Sequence, residues 1–426
     1  MLRTDTRHTE SAQGGLPRLL PPHPINTLDA HISYFGRRPR GDASLIREVE
    51  AAGLRGHGGA GFPTATKMAA VAARRRRGYV VVNATEGEPM SLKDKVLCAG
   101  APHLVLDGAA LAAETLGALE VVVCVDRSSN NTLLHMRAAI DERAQLGVDA
   151  VPIRLEAPPH RYVVGEESAL VHWLNGKEAK PTFVPPRPFE RGVGQRPTLV
   201  QNAETLAHVA LIARHGAVWF RQLGTATHPG SALATLSGAI GRAGVYEIPL
   251  GIALKDLLAA ADGTLETTHA VLVGGYFGTW IRADDVYNLH LDPPSLQRAG
   301  ASFGCGVVVA LPKTSCGLTE SARAAGWLAQ ESAGQCGPCA NGLPAIAQAM
   351  QALVTGDRGG RAEAMTRRWL EMVKGRGACR HPDGTARFVE SSLDTFAAEI
   401  DAHRQGRCTG ADSTPVLLTP ASGPWR

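Results

Sequence analysis

The sequence predicts an α/β chain of more than one domain, closed by a small helical bundle. Three observations carry this. Short β-branched runs alternate with helical segments between residues 43 and about 156, the pattern of a parallel sheet with crossover helices. From about Ser231, short strands sit between turn signals instead. From Thr319 onward apolar residues recur at helical spacing. At 426 residues the chain also exceeds one typical core, so two or three domains are expected.

In chain order, residues 1–25 read as disordered. Asp42 reads as the N-cap of a helix over 43–52, with Leu45, Ile46 and Val49 on one side. The stretch from Gly53 to Lys67 follows, with five glycines within nine residues. Such a loop approaches a ligand without Cβ obstruction, and its successive N–H groups form an anion-binding concavity. A helix-like run over 66–74 adds its N-terminal dipole, and Lys67 a point charge. A phosphate is the ligand class these features suit; a flexible surface loop reads the same way.

The run 79–83 has the continuous apolar character of a buried parallel strand, with the acidic loop from Thr85 to Pro89 at its C-terminal end. A helix over 103–116, a strand over 120–125, a helix over 132–143 and a strand near Ile153 extend the alternation. Later strands are read at 234–238, 244–251 and 270–275, with a helix over 252–260. Helices over 319–330, 343–354 and 361–374, plus the stripe Val389, Leu393, Phe396 and Ile400, make four short helices. Residues 405–426 read as a tail.

Apolar residues make up 44% and charged residues 20%, an ordinary globular balance. A net charge of +4 is too small to point to nucleic acid. Arg74 to Arg77 form the one basic run, readable as a solvated helix end or as a docking patch for an acidic partner. No signal-peptide core and no bilayer-length apolar run is visible. The expectation is a cytoplasmic protein, at most peripheral to the inner face of a membrane. Eight cysteines in a chain this long suggest metal or cluster binding rather than disulfides.

Four separated motifs occur in order: the glycine loop, Asn83-Ala84-Thr85-Glu86-Gly87-Glu88-Pro89, Tyr162-Val163-Val164-Gly165-Glu166-Glu167, and Gln201-Asn202-Ala203-Glu204-Thr205. Together they resemble the NADH-binding FMN and iron–sulfur subunit of respiratory complex I and its relatives in NAD-linked hydrogenases and formate dehydrogenases. The resemblance spans about residues 43–400. It implies a Rossmann-like FMN domain over 26–228, a β-grasp domain of the soluble-ligand-binding type over 229–312 and an iron–sulfur helical domain over 313–404.

It further implies that Gly56, Gly58, Gly59 and Lys67 face the FMN phosphate and ribityl chain. Asn83, Glu86, Tyr162, Gly165, Glu166 and Asn202 would line the remainder of the flavin pocket. Strand-end capping is the plainer account of Asn83 and Glu86. His57 stands where the family usually has arginine and would face either flavin or solvent. NADH would meet Phe62, Glu88 and Glu167. The family's second stacking aromatic is Ala70 here, and its Lys-Pro-Pro-Phe run reads Val184-Pro185-Pro186-Arg187. Losing two stacking contacts at ~0.5–1.5 kcal/mol each weakens binding by roughly one to two decades, with Arg187 able to grip a phosphate instead.

The family's cluster pattern is Ser-Cys-Gly-x-Cys-x-x-Cys plus one later cysteine. Cys336, Cys339 and Cys379 match, but Ala333 replaces the first ligand. Three readings stand. A [4Fe–4S] cluster is completed by His381, or failing that by Cys316; a three-cysteine [3Fe–4S] cluster forms; or Cys336, Cys339, Cys379 and His381 make a structural zinc site. Cys98, Cys124, Cys305 and Cys408 fit no ligand spacing, and Cys124 reads as core. The functional readings are an oxidoreductase passing electrons from NADH through FMN to a cluster and a ferredoxin-like or quinone-reductase partner, a flavin module that exchanges electrons with ferredoxin without NADH, and a non-redox scaffold.

Overall fold

The computed structural model describes residues 6–8, 15–408, 410 and 413–426. Among the described residues, ten strands fall into two sheets. In chain order they are β1 (Thr6–His8), β2 (Tyr79–Ala84), β3 (Glu120–Val125), β4 (Ile153–Glu156), β5 (Thr198–Asn202), β6 (Ser231–Gly238), β7 (Gly244–Pro249), β8 (Thr268–Val273), β9 (Thr279–Arg282) and β10 (Val307–Pro312).

The first sheet has the order β4-β3-β2-β5, and all its pairs are parallel. Period-2 geometry sends alternate residues of each strand to opposite faces. Val80, Val82, Val121 and Val123 join the large core with helices Pro102–Leu116 and Ala203–Phe220. Val81, Val122, Cys124 and Val200 join a smaller core on the other face with Leu170 and Val171. Burial on both faces is why these strands read as unbroken apolar runs. Gly108 lets the two long helices touch, since a Cβ there would lie 1.8 Å from the Leu206 carbonyl oxygen.

One buried ion cluster ties four helices of this unit together. Asp107 meets His31 Nε2 at 2.9 Å and Arg143 Nη1 at 2.8 Å, and also pairs with Arg214. Burial alone raises this carboxyl, but His31, Arg143 and Arg214 outweigh it and hold it well below the usual carboxylate range.

The second sheet has the order β1-β7-β6-β10-β8-β9. β6 and β10 run parallel at its centre, while β6–β7, β10–β8 and β8–β9 are antiparallel. One face packs on helix Leu254–Ala260, and the other on the C-terminal helices through Ala270, Leu272, Val307 and Val309. β1, β5, β9 and β10 have no counterpart in the sequence reading, and β1 corrects the disorder expected at residues 6–8. The run Val307 to Leu311 is a short continuous apolar segment, which periodicity cannot tell from helix.

The C-terminal region holds helices Gly317–Gln330, Leu343–Thr355, Arg361–Val373, His381–Thr395 and Ala397–Arg404. The last predicted helix is thus two, broken at Phe396 (φ −107°, ψ 29°). Several limits move by a residue or two. Ala43, not Asp42, is the N-cap position of helix Ser44–Ala52, although Asp42 Oδ1 still accepts the Ser44 N–H at 2.7 Å. Helix Thr64–Ala72 ends before Arg74, so the four arginines are exposed loop rather than helix end.

Residues 15–25 are packed, and the described part of the tail is pinned to the helical region at several points. Leu19 and Leu20 are fully buried, and Glu247 Oε2 accepts the N–H groups of Arg18, Leu19 and Leu20. Tyr276 Oη donates to the Leu418 carbonyl and Trp327 Nε1 to that of Pro420. The disorder expected for residues 1–5 and 9–14 lies outside the described residues. Among the described residues no single helix is long and apolar enough to cross a membrane.

Asp107→Ala leaves Arg214 buried without its carboxylate, and is expected to lower unfolding free energy by about 3–5 kcal/mol in urea. Because the folded Asp107 value lies below the unfolded one, the wild-type advantage is present above about pH 4 and fades as pH falls below it. An advantage that persists unchanged to pH 2 contradicts the assignment.

Candidate functional site

The C-terminal ends of β2 and β5 lie side by side, with Asn83 paired to Asn202. Ligands bind at such ends in open α/β sheets. Asn202 is the N-cap of helix Ala203–Phe220, its Oδ1 accepting the N–H groups of Glu204 and Thr205 at 3.1 and 3.4 Å. Its Nδ2 donates to Asp94 Oδ2 at 2.7 Å. Asn83 Nδ2 donates to the Gly165 carbonyl at 2.8 Å, and Thr85 Oγ1 donates to Asn83 Oδ1 at 2.7 Å. Gly165 sits so close that a Cβ would lie 3.0 Å from Thr85 Oγ1.

The acidic loop is held by its own carboxylates. Glu86, at φ +28°, accepts Ser91 Oγ–H at 2.6 Å and the N–H groups of Asp94 and Lys95 at 3.1 and 3.0 Å. It thereby caps helix Lys93–Gly100, and a non-glycine residue at positive φ marks local strain. Glu88 accepts the Tyr276 N–H at 2.8 Å and Tyr162 Oη–H at 3.1 Å, and burial pushes its carboxyl up to about 7. Glu166 caps helix Glu167–Leu174 through the N–H groups of Ser168 and Ala169. Burial raises its carboxyl. Beneath the loop, the buried Lys93 ammonium lies 2.9 Å from Asp94 and 2.8 Å from Glu204. Burial opposes that charge, but the two carboxylates hold it protonated well above its ordinary value.

The glycine loop closes on itself, Gly56 N–H donating to the Phe62 carbonyl at 2.9 Å and Arg55 Nη1 to that of Gly61 at 2.8 Å. Gly59 and Gly61 take positive φ. A Cβ on Gly58 would stand 3.4 Å from that of Asn202, so the loop lies over the strand ends. Among the described residues, the exposed amides of Gly58, Gly59 and Ala60 make no hydrogen bond. Unpaired amides in succession suit a phosphate. Lys67 is present at the helix start, its Nζ 2.5 Å from Glu167 Oε2.

His57 turns inward, to Glu204 at 3.8 Å and the His208 ring at 4.9 Å, and burial lowers its pKa. Its side chain is only 9% exposed. His57, Glu204 and His208 come within 4.8 Å of one another, but the Lys93 ammonium on Glu204 opposes a cation there. Phe62 is half exposed, and Arg187 is exposed with its N–H on Glu190.

Tyr162 joins this edge to the helical region. Its ring meets Phe277 at 4.8 Å, Trp327 at 5.4 Å and His381 at 5.7 Å, all edge-on. Its N–H donates to Glu331 Oε2 at 2.8 Å. Cys336 and Cys379 both act on the Cys339 thiol, which burial pushes up to about 12. Glu166 and Cys336 likewise act on Cys379, whose thiol burial raises. The three thiols are therefore near enough to influence one another, beside a π-helical turn at Pro338–Gly342. Among the described residues, no three donors from Cys336, Cys339, Cys379 and His381 come within 4.8 Å of one another.

His381 Nε2 donates to the Leu328 carbonyl at 2.8 Å, Nδ1 has no hydrogen-bond partner among the described residues, and burial drops its pKa to about 4. Ala333 offers no donor. Cys316 is not with this group; it lies beside His403 and Cys408. Tyr276, Phe277 and Trp327 were missed in sequence because no motif marks residues that reach the site from other elements. Lys93 carried a weak signal, standing next to Asp94 after the acidic loop.

Two family descriptions match the chain: the Nuo51 FMN-binding domain over residues 49–211 and the NADH-ubiquinone oxidoreductase-F iron–sulfur binding region over 319–403. They fall on the two regions that Tyr162 joins. The class is thereby an oxidoreductase subunit that transfers electrons through FMN and a [4Fe–4S]-type centre. The F 2 subunit of NADH-quinone oxidoreductase from Rhizobium meliloti (strain 1021) is 32% identical over 406 residues, 90% of this chain and 95% of that protein. The HndC subunit of the NADP-reducing hydrogenase of Solidesulfovibrio fructosivorans is 30% identical, over 88% of this chain and 79% of that one. The crystal structure of NAD+-reducing [NiFe]-hydrogenase in the H2-reduced state superposes with a TM-score of 0.79 at 29% identity, covering 90% of this chain and 68% of that one. The chain belongs to the family of NADH-quinone oxidoreductase F subunits.

Glu88 generates a pH signature. The unfolded carboxyl loses its proton near pH ~4.3, the folded one at about 7. Stability is therefore expected to fall by up to about 4 kcal/mol as pH rises across that window, and to level off above it. In Glu88→Gln the urea midpoint should lose most of that slope; an unchanged slope excludes Glu88 as its source.

Proposed function

We propose that this chain binds FMN at the C-terminal edge of its parallel sheet and delivers electrons to a cluster on Cys336, Cys339 and Cys379. The single observation carrying this is the Tyr162 contact set, which puts the flavin-type loops and the Cys379–His381 loop in one packed unit. Bound FMN would supply hydride acceptance and one-electron release. The amides of Gly58, Gly59 and Ala60, with Lys67, would hold its phosphate. Lys67 would exchange its Glu167 partner for that phosphate, freeing Glu167 for NADH. Asn83, Glu86, Glu166 and Asn202 fix the loops by the caps described above and so preorganise the pocket. Tyr162, Phe277 and Trp327 exclude water between the two sites.

NADH is the proposed donor, meeting Phe62, Glu88, Glu167 and Arg187. A second reading, a flavin module trading electrons with ferredoxin, is favoured by Ala70 and by Arg187 in place of aromatic partners. The exposed Arg74 to Arg77 run suits an acidic ferredoxin-like partner on the cytoplasmic side. The domain limits are proposed as 26–228, 229–312 and 313–404. A β-grasp assignment for the middle unit is supported by the parallel central pair β6 and β10 with one helix between β7 and β8. The last unit is proposed as a bundle of the four-helix type, with its final helix split at Phe396.

Anaerobic protein mixed with NADH is expected to lose its flavin absorbance; no bleaching at millimolar NADH selects the ferredoxin reading, and colourless protein removes both. For the cluster, three thiolates leave one corner without a protein sulfur. After chelator treatment in air, wild type should retain about three irons per chain and Ala333→Cys about four. Four irons retained in both forms means that another residue, with His381 first in line, already serves as the ligand.

A further inference from the structure

A second group of metal-type donors lies away from the cluster cysteines. Cys316 is the N-cap of helix Gly317–Gln330, and its Sγ accepts the Thr319 N–H at 3.4 Å. His403 comes from helix Ala397–Arg404, and Cys408 follows that helix. His403 Nε2 stands 3.3 Å from Cys316 Sγ, and the three donor atoms of Cys316, His403 and Cys408 lie within 4.8 Å of one another. Cys336 and Cys339 come after the far end of the same 14-residue helix, about 21 Å along its axis from Cys316.

We propose that Cys316, His403 and Cys408 hold a structural zinc ion. A tetrahedral zinc with Zn–S of about 2.3 Å and Zn–N of about 2.0–2.1 Å needs its donors roughly 3.5–4 Å apart, the scale seen here. The imidazole is already oriented for it. His403 Nδ1 donates to the Val354 carbonyl at 2.7 Å, which leaves the Nε2 lone pair directed at the sulfur. A carbonyl acceptor on the far ring nitrogen is the usual outer support of a ligating histidine. Cys316 and His403 are buried, so an ion there would be shielded from competing water. Glu399 Oε2 is 3.1 Å from Cys316 Sγ and accepts the Leu318 N–H at 2.8 Å. It reaches the fourth position by a side-chain rotation, or water fills it.

The ion would fasten the chain leaving the last helix to the point where the helical region begins. That matters because the tail beyond it runs back over this region, Leu417 N–H donating to Glu320 Oε2 at 2.8 Å and Trp327 Nε1 to the Pro420 carbonyl at 2.7 Å. Trp327 in turn touches Tyr162. The clamp therefore supports, at one remove, the packing between the two cofactor regions.

The test is metal analysis and zinc K-edge X-ray absorption on the full chain purified under reducing conditions and incubated with zinc chloride. About one tightly held zinc per chain is expected, with two sulfur neighbours near 2.3 Å and one or two nitrogen or oxygen neighbours near 2.0–2.1 Å. Cys408→Ser and His403→Ala should each reduce zinc to below about one-fifth of that while iron and flavin contents stay unchanged. Should a variant fail to fold, the wild-type sulfur count decides alone. Zinc absent from wild type, zinc kept by Cys408→Ser, three sulfur neighbours with loss in Cys339→Ser, or a Cys316–Cys408 disulfide by intact mass each overturn the proposal.

Discussion

Glu86, Asp94 and Glu204 crowd together below the glycine loop, and the buried Lys93 ammonium opposes their repulsion, with the more exposed Lys95 Nζ 3.9 Å from Glu86 Oε2. Much of the site follows from that arrangement. Asp94 and Glu204 are fixed by Lys93, Asn202 is fixed by Asp94, and Asn202 caps the helix that backs the sheet. Glu86 caps the helix that carries Lys93 itself. The loops over the strand ends are thus held by helix caps and a buried cation as well as by bonds within the glycine loop. A charged group buried this deeply is stable only when paired and hydrogen-bonded.

That economy explains a feature of the predicted flavin residues. Asn83, Glu86, Glu166 and Asn202 all hydrogen-bond to protein groups, so each has a structural duty in the folded chain. Capping and cofactor contact are compatible, because a side chain that holds an N–H group with one atom can present another to a ligand. The unpaired amides of the glycine loop are different in kind. They have no internal partner among the described residues, and buried or bound states of such groups demand one.

The family resemblance could be read because it rests on local chain chemistry. Closely spaced glycines, a Cys-x-x-Cys pair and β-branched runs keep their meaning whatever the surroundings. Val80, Val81 and Val82 announce a strand buried on both faces by composition alone. The helix stripe through Val389, Leu393, Phe396 and Ile400 was legible as apolar, but its break was not. Phe396 fits the spacing of one helix, yet its ring packs edge-on against Trp280 of the second sheet at 5.2 Å, and the backbone turns at that residue.

By itself the sequence determined the order of motifs, three of the four strands of the parallel sheet, the glycine loop and the three cluster-type cysteines, since each is encoded by neighbours in the chain. Only the tertiary structure decided which groups meet. It brought Tyr162 against His381, turned His57 inward, packed residues 15–25 and the tail, and gathered Cys316 with Cys408 from opposite ends of the helical region. Such contacts depend on how helices and sheets dock, and docking is set by shape and burial summed over many residues. No spacing rule along the chain records that sum.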